Sequence, residues 1–131
     1  MKSKVKKLTV DEFKSIYQYC FSEEGSNNRA KEDSTIYSFE LFLQDLEENE
    51  AGGLLLKDIL IFITGCEYIP PLGFVQPIRI LFYSSEGNTM RRPWSSTCAL
   101  TLSLPGGIDE PSYFKSLMTE SLTDCHGFGN V

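Results

Sequence analysis

Pro93-Trp94-Ser95-Ser96-Thr97-Cys98-Ala99-Leu100-Thr101-Leu102-Ser103-Leu104-Pro105 runs a Ser/Thr-rich turn directly into an apolar tract. Leu100, Leu102 and Leu104 alternate with Thr101 and Ser103, the two-residue period of a strand. The pattern predicts a strand from Cys98 to Leu104 with the leucines on one face, ended by Pro105-Gly106-Gly107. Cys98 then stands at a loop-to-strand junction, where a thiol can be held at a surface with its neighbours anchored on either side.

A second β-rich run, Ile78-Arg79-Ile80-Leu81-Phe82-Tyr83, lies upstream, after Pro70-Pro71, Gly73 and Pro77 have broken any helix. Ser84 to Asn88 reads as a polar turn. The first half of the chain has helical periods instead. Thr9 and Glu12 have capping-box spacing, and Val10, Phe13, Ile16, Tyr17 and Cys20 recur near 3.6 residues, which predicts a helix from about 9 to 20. Residues 22 to 33 are polar and read as a linker or hinge. A second helix is expected from Ser34 or Thr35, with Ile36, Phe39, Phe42, Leu43 and Leu46 on one face, ending before Gly52-Gly53. Leu54 to Ile63 is apolar on most sides and predicts a buried helix stopping at Thr64-Gly65. Pro111 suits the first turn of a last helix bearing Tyr113, Phe114, Leu117, Met118 and Leu122. Helices, strands and a closing helix imply an α/β (α+β) domain, two layers with helices packed on a short sheet.

Composition bounds the function. The chain has 131 residues, 41% of them hydrophobic, enough for one domain with a core. Its net charge of -6 argues against nucleic acid and anionic membrane as partners. Lys2, Lys4, Lys6 and Lys7 form a basic cluster that reads as a solvated terminus. No apolar run approaches the ~20 residues of a membrane helix, and no apolar segment follows the basic terminus as in a secretory signal. An intracellular protein, cytoplasmic or nuclear, is expected. Cys20, Cys66, Cys98 and Cys125 lie far apart and His126 is the single histidine, so neither a metal site nor any cofactor is expected, and the thiols are expected to be reduced. Cys125 beside His126 is a poor catalytic dyad, because adjacent side chains seldom face each other.

The pattern Pro-x-Ser-x-Thr-Cys from Pro93 to Cys98, followed by Leu-x-Leu-Pro from Leu102 to Pro105, resembles the active-site segment of HECT-type E3 ubiquitin ligases, in their C-terminal lobe. Phe62-Ile63-Thr64-Gly65, then Ile69-Pro70-Pro71-Leu72-Gly73-Phe74, resembles a helix end and a Pro-Pro turn of the same lobe; the turn itself reads as structural. Gly127-Phe128-Gly129 resembles its tail, with an aromatic residue fourth from the end. The match spans about residues 34 to 131. The resemblance implies a C-lobe there, with residues 1–33 as the end of an N-lobe helix plus hinge.

It implies further that Cys98 accepts ubiquitin as a thioester and that Thr97 orients the reacting groups. Phe128 would position the substrate lysine, and Thr97, Ala99, Leu100, Thr101, Leu102 and Ser103 would bind ubiquitin's tail. Partners would be ubiquitin, protein substrates, and an E2 conjugating enzyme held by an N-lobe that the chain lacks. Cysteine suits the chemistry, since a thiol is strongly nucleophilic near neutral pH and transthioesterification exchanges like for like. Arg91 and Arg92 would favour the thiolate. Many members carry a basic residue at the position of Trp94, His at Ser96, Asn at Leu100 and an acid at Ser103. The missing acid removes a general base, a contribution typically of about 10²- to 10⁴-fold. An alternative therefore stays open: a catalytically weakened HECT-like module that binds ubiquitin or another partner.

Overall fold

The computed structural model describes residues 8–23, 25–48, 52–83 and 93–128, with side chains through residue 123. Four helices and a four-stranded sheet alternate as α1 (Val10–Lys14), β1 (Tyr17–Tyr19), α2 (Asn27–Glu47), α3 (Leu56–Thr64), β2 (Ile78–Tyr83), β3 (Trp94–Ser96), β4 (Thr101–Pro105) and α4 (Pro111–Phe128). The sheet order is β1-β2-β4-β3. β1 and β4 both run parallel to β2, and β3 runs antiparallel to β4. This is the mixed α/β architecture read from the sequence. No helix among the described residues is long and apolar enough to cross a membrane.

β4 is the centre of the arrangement. β2 pairs along one edge, from Arg79↔Thr101 to Tyr83↔Pro105, and β3 along the other, from Trp94↔Ser103 to Ser96↔Thr101. All five β4 residues are buried, so Thr101 and Ser103 are covered as fully as Leu102 and Leu104. The strand is shorter than the expected Cys98–Leu104, because residues 97–100 form a turn. β3 falls within the Ser/Thr-rich stretch that reads as a turn in sequence; its extended backbone is stabilised by the β4 partner.

The largest corrections fall at the amino-terminal end. The capping box forms as expected: the Glu12 N–H donates to Thr9 Oγ1 and the Thr9 N–H to Glu12 Oε1, both at 3.1 Å. Yet the helix ends at Lys14, and Tyr17 to Tyr19 become an edge strand. Helical spacing and strand pairing compete for these residues, and pairing wins: the Ile78 N–H donates to the Ile16 carbonyl and the Cys20 N–H to the Ile80 carbonyl. Aromatic rings favour the strand as well, since alternate residues share a face. Tyr17 packs edge-on against Phe13, Tyr19 and Phe39 at centroid distances of 5.2, 5.2 and 6.1 Å.

Residues 22–33 are likewise not all linker. Ser26 caps α2 by accepting the Arg29 N–H at 3.1 Å, so the helix begins eight residues before Thr35. Buried Glu32 accepts from both the N–H and the hydroxyl of Ser22. The expected division at residue 33 falls inside α2, and Phe13, fully buried, shares the core with Phe39, Leu102 and Phe114.

The remaining helices follow their apolar periods. α2 buries Phe39, Phe42, Leu43 and Leu46, leaving Ile36 half-buried, and its Phe39 and Phe42 rings meet Phe114 of α4 edge-on at 6.0 and 6.2 Å. α3 buries Leu56, Ile59, Leu60 and Ile63 and stops at Gly65, whose φ of 81° makes it a left-handed cap, with its N–H donated to the Ile61 carbonyl. α4 buries Phe114, Leu117, Met118 and Leu122, while Tyr113 is exposed. The turn at 84–88, the lysines of the terminus, Arg91 and Arg92 lie outside the described residues.

Two polar arrangements give direct tests. Thr35 is fully buried; its hydroxyl donates to the Pro105 carbonyl at 2.7 Å and accepts the Ile108 N–H at 3.0 Å, while Ser38 donates to the Ile108 carbonyl at 2.8 Å. α2 thereby clamps the exit of β4. Thr35→Val keeps the shape but orphans two buried backbone groups, so denaturant unfolding should show a loss of about 1–3 kcal/mol. Ser34→Ala, which removes only a 3.3 Å bond to the Ala30 carbonyl, should change little.

Tyr17 and Tyr19 share a hydroxyl–hydroxyl bond of 3.1 Å, and Tyr19 donates to Glu40 Oε2 at 2.9 Å. Burial chiefly, with the negative Glu40 adding and the Tyr19 contact opposing, pushes the Tyr17 phenol up to about 12. Tyr19 is raised too, by burial first and then by its bond to Tyr17. Both hold their protons more tightly folded than unfolded, where a phenol ionises near 10. The contribution of Tyr17 is thus complete below pH 10 and lost as the pH rises through about 12, and that of Tyr19 declines in the same direction. Unfolding midpoints should fall across that window, and less steeply in Tyr17→Phe; equal slopes would assign the loss to other groups.

Candidate functional site

Cys98 lies in the four-residue turn Thr97–Leu100 between β3 and β4, and both Thr97 and Cys98 are exposed. The turn is held at its base by the Ser96↔Thr101 pair and inside by the Ala99 N–H, which donates to Ser96 Oγ at 3.3 Å. From β2, the Arg79 N–H donates to the Leu100 carbonyl at 3.0 Å. From the loop before β2, Gln76 Nε2 donates to the Ala99 carbonyl at 2.7 Å.

Leu100 is the strained residue. Its φ of 56° is the one positive value at a non-glycine residue among those described, and its side chain is 7% exposed. The left-handed region costs an ordinary side chain about 1–2 kcal/mol, and Gly and Asn tolerate it best. Leucine is retained against that cost by burial of its side chain, which is worth about 1.5–3 kcal/mol.

β3 presents the turn from a firm base. The Pro93 carbonyl accepts the hydroxyl of buried Ser121 at 2.9 Å, tying the strand entrance to α4. The Ser95 hydroxyl donates to the Phe62 carbonyl near the end of α3. Trp94 stacks on Tyr83 with centroids 4.5 Å apart. The outer edge of β3 carries no further strand among the described residues.

The residues expected to act together divide into two groups. Thr97, Cys98 and Ala99 stand on the accessible turn, Ala99 half-buried. Leu100, Thr101, Leu102 and Ser103 are buried, and the last three belong to a strand already paired on both edges, so they cannot themselves receive an extended chain. Phe128 is the last residue of α4, and its side chain, like those of Cys125 and His126, lies outside the described residues. Cys20, Cys66 and Cys98 are in no disulfide; Cys66 is exposed and Cys20 half-buried.

Sequence reasoning missed Gln76, which reaches the turn from 23 positions upstream, and the edge strand β3. Ser96 three residues before Ala99 is a local signal of a serine-stabilised turn. Nothing in the sequence around Gln76 marks it.

The loop leading to β2, from which Gln76 reaches the Cys98 turn, exposes Tyr68, Leu72 and Val75 at 71%, 98% and 99%. Its Pro70–Gly73 turn closes through the Gly73 N–H and Pro70 carbonyl at 2.9 Å.

A segment of 33 residues, 25% of the chain, is 54% identical to the G2/M phase-specific E3 ubiquitin-protein ligase of Gallus gallus, and the match covers 4% of that relative. The model of the HECT domain (ubiquitin-transferase) matches residues 2–131. The chain belongs to the HECT-domain family of ubiquitin transferases.

Proposed function

We propose that Cys98 accepts ubiquitin from an E2 conjugating enzyme and passes it to a substrate lysine. The observation that carries this reading is the exposed thiol on a turn tethered from within and from β2 and its preceding loop. The Cys98 thiolate attacks the carbonyl carbon of the E2-bound glycyl thioester; the new C–S bond forms, the old one breaks, and the E2 thiolate departs. A substrate amine then attacks the Cys98 thioester, forming the amide and releasing the Cys98 thiolate, with the amine proton going to a base.

Thr97, exposed beside the thiol, orients the incoming carbonyl through its hydroxyl. Ubiquitin's extended tail runs along Thr97 to Ala99 and the outer edge of β3, adding a strand by main-chain pairing. Leu100, Thr101, Leu102 and Ser103 serve from behind, holding the turn. Tyr68, Leu72 and Val75 offer the apolar contact for the body of ubiquitin. Phe128 places the acceptor lysine, and the E2 docks on an N-lobe, in the cytoplasm or nucleus. The position where the resemblance expects an acid is Ser103, buried on β4, so the base for lysine attack comes from elsewhere.

With ubiquitin, E1, E2 and an E2-binding HECT N-lobe supplied, the chain should acquire one thiol-sensitive ubiquitin adduct, absent in Cys98→Ala and retained in Cys66→Ala. An adduct of equal yield in Cys98→Ala excludes Cys98 as the acceptor. Ubiquitin binding with no adduct under full reconstitution favours a binding module instead. Trp94 is the chain's single tryptophan, so its fluorescence should change as the ubiquitin tail docks, in Cys98→Ala as in the parent chain.

A further inference from the structure

We infer that Gln76 is a positioning residue for the Cys98 thiol, acting through the Ala99 carbonyl; its part in ubiquitin transfer rests on the function proposed above, whereas its hold on the turn does not. A peptide unit is planar, so fixing the Ala99 oxygen also fixes the direction of the Leu100 N–H; with the Leu100 carbonyl held in turn by the Arg79 N–H, the φ between these two peptide planes is confined as well. That φ is the left-handed 56° of Leu100, a conformation that persists only where the surroundings over-determine it. Rotation of the Ala99–Leu100 peptide would relax Leu100 and swing the adjoining Cys98. Gln76 Nε2, 2.7 Å from the Ala99 oxygen, opposes that rotation from outside the hairpin.

Gln76 is well mounted for the task. Pro77 follows it and confines its backbone to the extended region. Ile78 then begins β2 with its N–H bonded to the Ile16 carbonyl, and the next N–H, of Arg79, holds the Leu100 carbonyl. The two carbonyls flanking the strained φ are therefore gripped from positions 76 and 79 of one short segment. Gln76 is exposed, and its contact with the turn is this hydrogen bond rather than burial of its side chain.

The test uses the chain alone and a small N-acetylglycyl thioester. Its acyl group passes to Cys98 as one C–S bond forms and another breaks, and the reagent's thiolate leaves. Gln76→Met keeps the length without a donor, and Gln76→Lys restores a donor of similar reach. Acylation of Cys98 is followed across pH beside that of exposed Cys66 as internal reference. Gln76→Met should lower the high-pH plateau at Cys98 about 3- to 10-fold, the size of one hydrogen bond. The pH midpoint and the Cys66 rate should stay in place, and Gln76→Lys should recover the plateau.

An unchanged Cys98 rate in Gln76→Met, an equal fall at Cys66, or a shifted pH midpoint with an unchanged plateau overturns the inference. Ubiquitin charging then separates the two readings. A Gln76-dependent small-thioester reaction without any ubiquitin adduct sinks the proposed function and leaves Gln76 in its role. Ubiquitin charging through Cys98 at the same rate in Gln76→Met removes Gln76 from the transfer reaction.

Discussion

The structure depends on β4 being paired along both edges and buried on both faces. A strand in that position cannot shift register without breaking two ladders and exposing leucines that are 0% exposed. Its two ends are consequently fixed points. At the carboxyl end, Thr35 and Ser38 of α2 hold the exit through buried hydroxyls. At the amino end, the four-residue turn has no freedom to slide, and the Cys98 thiol is carried outward from it.

That rigidity coexists with a conformational cost inside the turn. Leu100 takes a left-handed φ while its side chain enters the core, so one residue is both strained and buried. Burial and the two grips on its flanking carbonyls are of the same energetic order as the strain, which makes the turn responsive to small changes in its neighbours. Asparagine, which the family resemblance expects at this position, would ease the backbone but place an amide against the leucines.

The same central strand changes what the tail-binding expectation means physically. Six residues in sequence from Thr97 look equally available, but pairing by β2 and β3 removes Thr101, Leu102 and Ser103 from contact with an extended chain. Among the described residues the outermost strand on that side is β3, whose Trp94-Ser95-Ser96 has too little strand periodicity to be recognised alone. Tyr17 to Tyr19 illustrate the opposite failure, since their helical spacing is real but their backbone groups are better satisfied by β2.

By itself the sequence determined the mixed α/β class, the Thr9 cap, the apolar faces of α2, α3 and α4, the Ile78–Tyr83 strand and a second strand carrying Leu102 and Leu104 with Cys98 at its entrance. Each of these rests on contacts between residues a few positions apart, whose period or spacing is visible in one dimension. Only the tertiary structure decided the early end of α1, the strand at Tyr17–Tyr19, the edge at β3, the buried state of Thr101 to Ser103 and the reach of Gln76 to Ala99. Those features are settled by hydrogen bonds across 23 or more positions, or by which strand stands beside which, and local propensity is too weak to override such pairing.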